Sequence, residues 1–243
     1  MEEPAPAPSV AAKTRKGEQT REQILETALD LFREKGYEQT TMRAIAQAAG
    51  VAVGNAYYYF RSKEHLIQAF YGRLHEDHLA ACVPLLAREH GFKARLLGVL
   101  RTKIETATPY HRFSAVLFKT AADPASPLNP FSPDSEPTRR QGIDLFDQVV
   151  SGAGLKLPKE VRAELPYLLW LYEMGIVLFW IHDASPGAAR TYRLIDKSVP
   201  LVSRLVALAR FPIARLFLRP ALALVADLRK PVEKSGEPPE RRG

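Results

Sequence analysis

Apolar residues recur along this chain with the 3.6-residue period of helices, and no alternation is long enough for a strand. The first stripe starts at Thr20. Leu25, Ala28, Leu29 and Phe32 fall at i, i+3, i+4 and i+7, Ile24 and Leu31 widen it, and Gly36 stops the helix. Thr40 or Thr41 can cap a second, short helix that turns Ile45, Ala46 and Ala49 inward and ends at Gly50. A third short helix is predicted from Ala52 to Tyr59. Ser62 caps a long fourth, with Leu66, Phe70, Leu74, His78, Cys82 and Leu85 on one side. After Gly91 comes a fifth with Leu96, Leu97, Leu100 and Ile104, and Pro109 opens a sixth with Phe113, Val116 and Leu117.

Five prolines between Asp123 and Pro137 exclude helix and predict an extended connector, which either shapes a pocket mouth or is a tolerated insertion. A seventh helix follows over 138–150. Pro158 opens an apolar eighth that ends near His182. Ser185-Pro186 starts a ninth, with Tyr192, Ile195, Val199, Val202 and Leu205 as its stripe and Pro200 set to kink or split it. A last helix is predicted from Pro212 to Leu228.

Thr41 to Phe60 carries the most information. Two helices this short cannot stand alone and need a tight turn with a small residue at their crossing. Ala46 provides the close contact, Gly50 the turn, and Ile45, Val51 and Phe60 the core. That is helix-turn-helix geometry, whose second helix enters the DNA major groove.

At Thr41, Arg43, Ile45-Ala46, Ala49-Gly50-Val51, Tyr57-Tyr58-Tyr59-Phe60 and Ser62-Lys63-Glu64, with Gly36-Tyr37 closing the first helix, the chain resembles the TetR family of bacterial regulators. The resemblance covers about residues 18–70. Ala56 stands where a bulkier aliphatic is common, which predicts looser packing, and Tyr59 stands where histidine is common.

The resemblance implies an all-α fold: an N-terminal three-helix helix-turn-helix DNA-binding domain and a larger C-terminal helical ligand-binding and dimerisation domain. It divides the chain into a basic disordered arm (1–17), a DNA-binding domain (18–64), an effector and dimer domain (65–229) and a disordered tail (230–243). It also implies DNA roles. Thr41, Lys63 and the hydroxyls of Tyr57 and Tyr58 bind phosphates. Gly54 lets the backbone approach closely. Asn55 bonds adenine, Val53 meets a thymine methyl, and Arg43 reaches a guanine or a phosphate. Lys13, Arg15 and Lys16 trail into a minor groove. Without the surrounding motif, the tyrosine run would read as core plus surface and the arm as a solubilising tail.

The implied partners are a palindromic double-stranded operator, a second copy of the chain and a small, mostly hydrophobic effector. Inward-facing candidates for an effector pocket are Tyr71, His75, His78, Leu97, Arg101, Phe113, Leu117, Trp170 and Glu173. Glu173 within an apolar helix can recognise a cation, pair with an arginine or sit at an edge.

Composition narrows the alternatives. Net charge is +7, which favours polyanionic partners without separating DNA from RNA or an anionic membrane. One cysteine, Cys82, permits neither an internal disulfide nor a thiolate cluster. The start Met1-Glu2-Glu3 lacks a signal pattern, and Leu165 to Ile181 is short for a span and interrupted by Glu173, so a cytoplasmic protein without stable membrane association is expected. No nucleophile elbow, phosphate-binding glycine loop or zinc-hydrolase motif occurs, so neither catalysis nor a cofactor is expected. His75 and His78 have a metal-compatible spacing, but two of six histidines meeting on one helix is the simpler account, and no metal is expected. Two other functions compete: an effector-independent architectural DNA-binding protein, and a membrane-surface protein acting through residues 210–230, where Arg210, Arg215, Arg219 and Arg229 interleave with apolar residues.

Overall fold

A computed structural model describes residues 10–124, 126, 128–211, 220 and 222–227, with the backbone alone at 10–14, 112, 116, 117 and 120. Among the described residues there is no strand. The helices are α1 (Val10–Lys35), α2 (Met42–Ala48), α3 (Val53–Tyr59), α4 (Lys63–Arg88), α5 (Phe92–Ala107), α6 (His111–Ala121), α7 (Glu136–Ser151), α8 (Lys159–Ile181) and α9 (Ala189–Leu208).

Three local expectations change. First, residues 10–17 are not a disordered arm: the backbone is already helical at Val10 and runs on into α1. Ala11, Ala12, Lys13, Arg15 and Lys16 are good helix formers, and Gly17 alone does not stop them. Residues 1–9 lie outside the described residues, as does the expected tail. Second, Pro200 does not split α9, which continues from Ala189 to Leu208. Third, the buried stripe of α9 is Thr191, Ile195, Val199 and Val206, whereas Leu205 faces outward with Leu201 and Leu208.

Caps explain the sharp corners of the N-terminal unit. Thr41 is the α2 cap, its hydroxyl accepting from Ala44 N at 3.1 Å. Thr40 closes the preceding turn instead, donating to Gly36 O at 2.8 Å. Gly36 and Gly50 have φ of +85° and +65°, which favours glycine after each helix. Ser62 occupies the cap position of α4, but its hydroxyl pairs with His65 Nδ1 at 3.0 Å rather than with backbone.

Two cores result. The first gathers Ile24, Leu25, Leu29 and Phe32 of α1, Ile45 and Ala46 of α2, Ala56 of α3, and Leu66, Ile67 and Phe70 of α4. Ala56 is fully buried. The second joins α4, α5, α7, α8 and α9 around Leu96, Leu100, Phe146, Leu169 and Ile195. Leu74 of α4 packs against both. The buried Arg95 ties two helix C-termini together, donating to Leu86 O at 2.7 Å and Gln148 O at 2.9 Å, where the helix dipoles favour a cation. α8 is long and apolar enough to cross a membrane by length alone, yet it buries Glu173 and packs along α7, as expected of a core helix. Of the last predicted helix, 222–227 is helical, and Leu222 is buried beside Val161 and Ala209 rather than offered to a surface.

Candidate nucleic-acid interface and ligand cavity

α2 and α3 form the expected pair, with Ala46 and Ala56 buried and Gly50 at the turn. The outer face of α3 is apolar and aromatic in an unusual place: Val53, Gly54, Asn55, Tyr57 and Tyr58 are all exposed, Tyr58 at 81%. A side chain at Gly54 would meet nothing within 4 Å, so packing inside the chain does not demand a glycine there. Thr41 and Arg43 are exposed at the start of α2. Tyr59 is half-buried and lies beside Gly17 of α1. Of the arm residues, Arg15 and Lys16 are exposed on α1, while the side chain of Lys13 lies outside the described residues.

Lys63 is more committed than its sequence position indicates. Its ammonium donates to Tyr37 O at 2.7 Å and sits 4.2 Å from the centre of that ring, while Tyr37 Oη donates to Glu64 Oε1 at 2.8 Å. The exchange fixes the start of α4 against the end of α1. One of the three ammonium donors is thereby used.

The larger unit is hollow. A cavity of about 440 Å³ lies between α4, α5, α6, α8 and the proline-rich connector, walled by Tyr110, Phe118, Phe131, Leu178, Trp180 and other residues. A smaller space of about 70 Å³ adjoins it, sharing Tyr71, His75, Lys103, Pro130 and Met174 and adding Trp170 and Glu173. The volume of the larger chamber falls in the ~300–1,000 Å³ range of ligand sites. Through Pro130 and Phe131 the connector is cavity wall.

Of the pocket residues expected from sequence, Tyr71, His75, Trp170 and Glu173 line this space. The others do not. His78 is buried behind the wall, its Nε2 3.2 Å from Val99 O. Leu97 packs into the second core. Arg101 points away and holds both carboxylate oxygens of Asp196 on α9, at 2.7 and 2.9 Å. Phe113 belongs to the first core, stacked on Phe32. The Leu117 side chain lies outside the described residues. Sequence reading missed Lys103, which with Arg95 is one of two charges on the buried face of α5 among Leu96, Val99, Leu100 and Ile104. A charge at core spacing was the available signal. It also missed Phe118, Phe131 and Trp180.

The cavity's electrostatics centre on Lys103. Burial, reinforced by the neighbouring ammonium, holds the His75 imidazole down at about 4 and that of His78 at about 2, so both are neutral at pH 7. Burial pushes the Glu173 carboxyl up, and Lys103 pulls it partly back. Among the described residues, four buried side-chain atoms lack a hydrogen-bond partner. Three of them belong to cavity walls: His75 Nε2, Glu173 Oε1 and Trp180 Nε1.

A helix-turn-helix head on a hollow all-helical body defines the regulatory class of helix-turn-helix proteins. Residues 24–70 match the profile of bacterial regulatory proteins of the tetR family, and residues 95–225 match the tetracyclin repressor-like C-terminal domain. The second match alone covers more than half of the chain, and the protein belongs to the TetR family. It is 45% identical over 65 residues to the transcriptional regulator TtgR of Pseudomonas putida, a stretch covering 26% of this chain and 31% of TtgR. That match therefore spans about a third of the relative's length. It is 24% identical over 180 residues to the transcriptional repressor KstR2 of Mycolicibacterium smegmatis, covering 70% of this chain and 82% of that one. In fold it resembles a TetR transcriptional regulator from Nitrosomonas europaea, with a TM-score of 0.57 at 16% identity, over 75% of this chain and 97% of the other.

Proposed function

We propose that the chain is a dimeric, sequence-specific DNA-binding transcriptional repressor, released from a palindromic operator by a small, mostly apolar effector. One observation carries the DNA-binding part: α3 exposes Val53, Asn55, Tyr57 and Tyr58 while Ala56 is buried and fixes the helix to the head. Exposed aromatics and an amide on a helix whose back face is fixed suit a partner that supplies the missing contacts. Asn55 reads an adenine edge, Val53 a thymine methyl, and the tyrosine hydroxyls, Thr41, Arg43 and Lys63 hold phosphates. Gly54 keeps the backbone close to the groove.

The hollow body favours the effector part over an effector-independent architectural protein, whose body would have no need of a 440 Å³ chamber. The dimer reading rests on the outer faces of α8 and α9. Phe179 is exposed on one, and Leu201, Leu205 and Leu208 on the other. Two such helices pairing across a two-fold axis make a four-helix bundle and set two α3 helices toward successive major grooves. Acting on DNA in this way, the protein works in the cytoplasm and needs no catalytic step.

The test is selection of bound sequences from a random duplex pool, followed by anisotropy titration at fixed salt. A palindromic consensus is expected, with Asn55→Ala weakening it by ~1–3 kcal/mol and flattening preference at one base pair per half-site. Equal affinity for consensus and scrambled duplex would refute sequence-specific binding.

A further inference from the structure

The large chamber is mostly apolar, with the polar groups of Tyr71, His75, Tyr110, Ser114 and Asn129 in its wall and a charge at one point. Among the described residues that line it, Lys103 is the only charged one, and no carboxylate faces the space. Lys103 and His75 line both spaces and Glu173 the annexe, and at 9%, 7% and 3% exposed these three are more than nine-tenths buried, whereas Asp134 and Arg139, also on the annexe wall, are exposed and half-buried. No carboxylate of the described residues comes within 4.0 Å of the Lys103 ammonium; the near one, Glu173, instead approaches His78 Nε2 at 3.9 Å. A buried ammonium without a close counter-charge is costly, and a ligand that brings the counter-charge recovers that cost. His75 Nε2 and Glu173 Oε1, both unpartnered, stand beside it as further hydrogen-bonding positions. Burial pushes the Glu173 carboxyl up and Lys103 pulls it partly back, and its oxygen is not drawn into an ion pair with the ammonium.

We propose that the effector is an amphipathic organic anion, its carboxylate or equivalent oxyanion head bound by Lys103 at the annexe and its apolar body filling the chamber toward Phe118, Phe131 and Trp180. This rests on the reading of the cavity as the effector site, and it adds the sign of the ligand's charge and the end at which it is held. A cationic ligand would need Glu173 on the chamber wall, and Glu173 lines only the annexe.

The protein carries its own reporter. Its two tryptophans, Trp170 and Trp180, line the annexe and the chamber respectively. The full-length protein is titrated with decanoate, 1-decanol and decylammonium, following tryptophan emission, and then operator affinity is measured with each probe present. Decanoate is expected to bind at least tenfold more tightly than the other two and to weaken operator binding. Lys103→Met should remove that preference while leaving decanol affinity in place and the melting temperature of the ligand-free protein at or above that of wild type, and Lys103→Arg should keep it. Equal binding of all three probes, tighter decylammonium, or an unchanged preference in Lys103→Met overturns the anionic assignment and leaves the cavity as effector site. Absence of saturable binding by any probe, with operator affinity unmoved, overturns both.

Discussion

The rings of Phe32 and Phe113 lie stacked, 5.4 Å apart and 14° from parallel. Phe32 belongs to α1 of the DNA-binding head, Phe113 to α6 of the hollow body. The residue after Phe113 on α6, Ser114, lines the chamber, as does Phe118. One helix therefore touches the cavity with one side and the head's core with another. If the proposed effector displaces α6, this pair is a contact through which the movement reaches α1. A double-mutant cycle of Phe32→Leu and Phe113→Leu, read by urea unfolding, should return a coupling of about 0.5–1.5 kcal/mol. Additive losses would mean the two rings are neighbours without energetic linkage.

On α3, stability and binding should separate. Tyr58→Ala removes an exposed ring and should change unfolding free energy by no more than about 0.5 kcal/mol while weakening operator binding. Ala56→Leu should do the reverse at the level of the fold, costing about 1–3 kcal/mol because the site is fully buried. Thermal melts beside operator titrations decide both.

Asp183 governs the entry to α9. Its two oxygens accept from Ser185 N and Oγ at 3.0 and 2.6 Å and from Thr191 N and Oγ1 at 2.8 and 2.7 Å. Burial by itself would raise its pKa; the four bonds outweigh it and hold the carboxyl well below the ordinary range. A depressed folded pKa gives stability that is present above the unfolded value of about 4 and is lost as pH falls toward the folded one. Asp183→Asn should cost about 1.5–3 kcal/mol at pH 7, and the gap to wild type should narrow steadily below about pH 4 in denaturant titrations.

Cys82 is the only thiol and is fully buried. Burial, then the Glu173 carboxyl, push its pKa up to about 12, against a smaller pull from Lys103. The native protein should not react with Ellman's reagent at pH 8, and one equivalent should appear on unfolding in guanidinium chloride. Rapid native labelling would place the thiol at an opening in the cavity wall.

Gly152 follows α7 where Arg95 reaches across. A methyl there would overlap the Arg95 guanidinium and push it off Gln148 O. Gly152→Ala should destabilise by about 1–3 kcal/mol, and most of that loss should vanish in an Arg95→Ala background. Calorimetry of the four proteins checks this.

The head was legible in the sequence because its geometry is written in short-range chemistry. Thr41 caps, Gly50 turns, Ala46 and Ala56 allow close crossing, and each acts within a few residues of its position. The cavity was legible only in part, because an apolar stripe reads alike whether it faces a packed core or a hollow. Phe113 and Phe118 sit five residues apart on α6, and one enters the head's core while the other faces the chamber. Arg101 and Lys103 reverse the naive expectation for the same reason. Lys103 shares the face of α5 that packs inward with Leu96, Val99, Leu100 and Ile104, while Arg101 lies on the opposite side and meets Asp196, a partner 95 residues away.

Leu74 lies in the packing of both cores, at the point where α4 passes from head to body. A side chain shared in this way denies the two units separate melting. Opening either core strips contacts from the same rod, so heat should reveal a single cooperative transition. The helix that joins the units thus also ties their unfolding together, and keeps the chain from coming apart by halves.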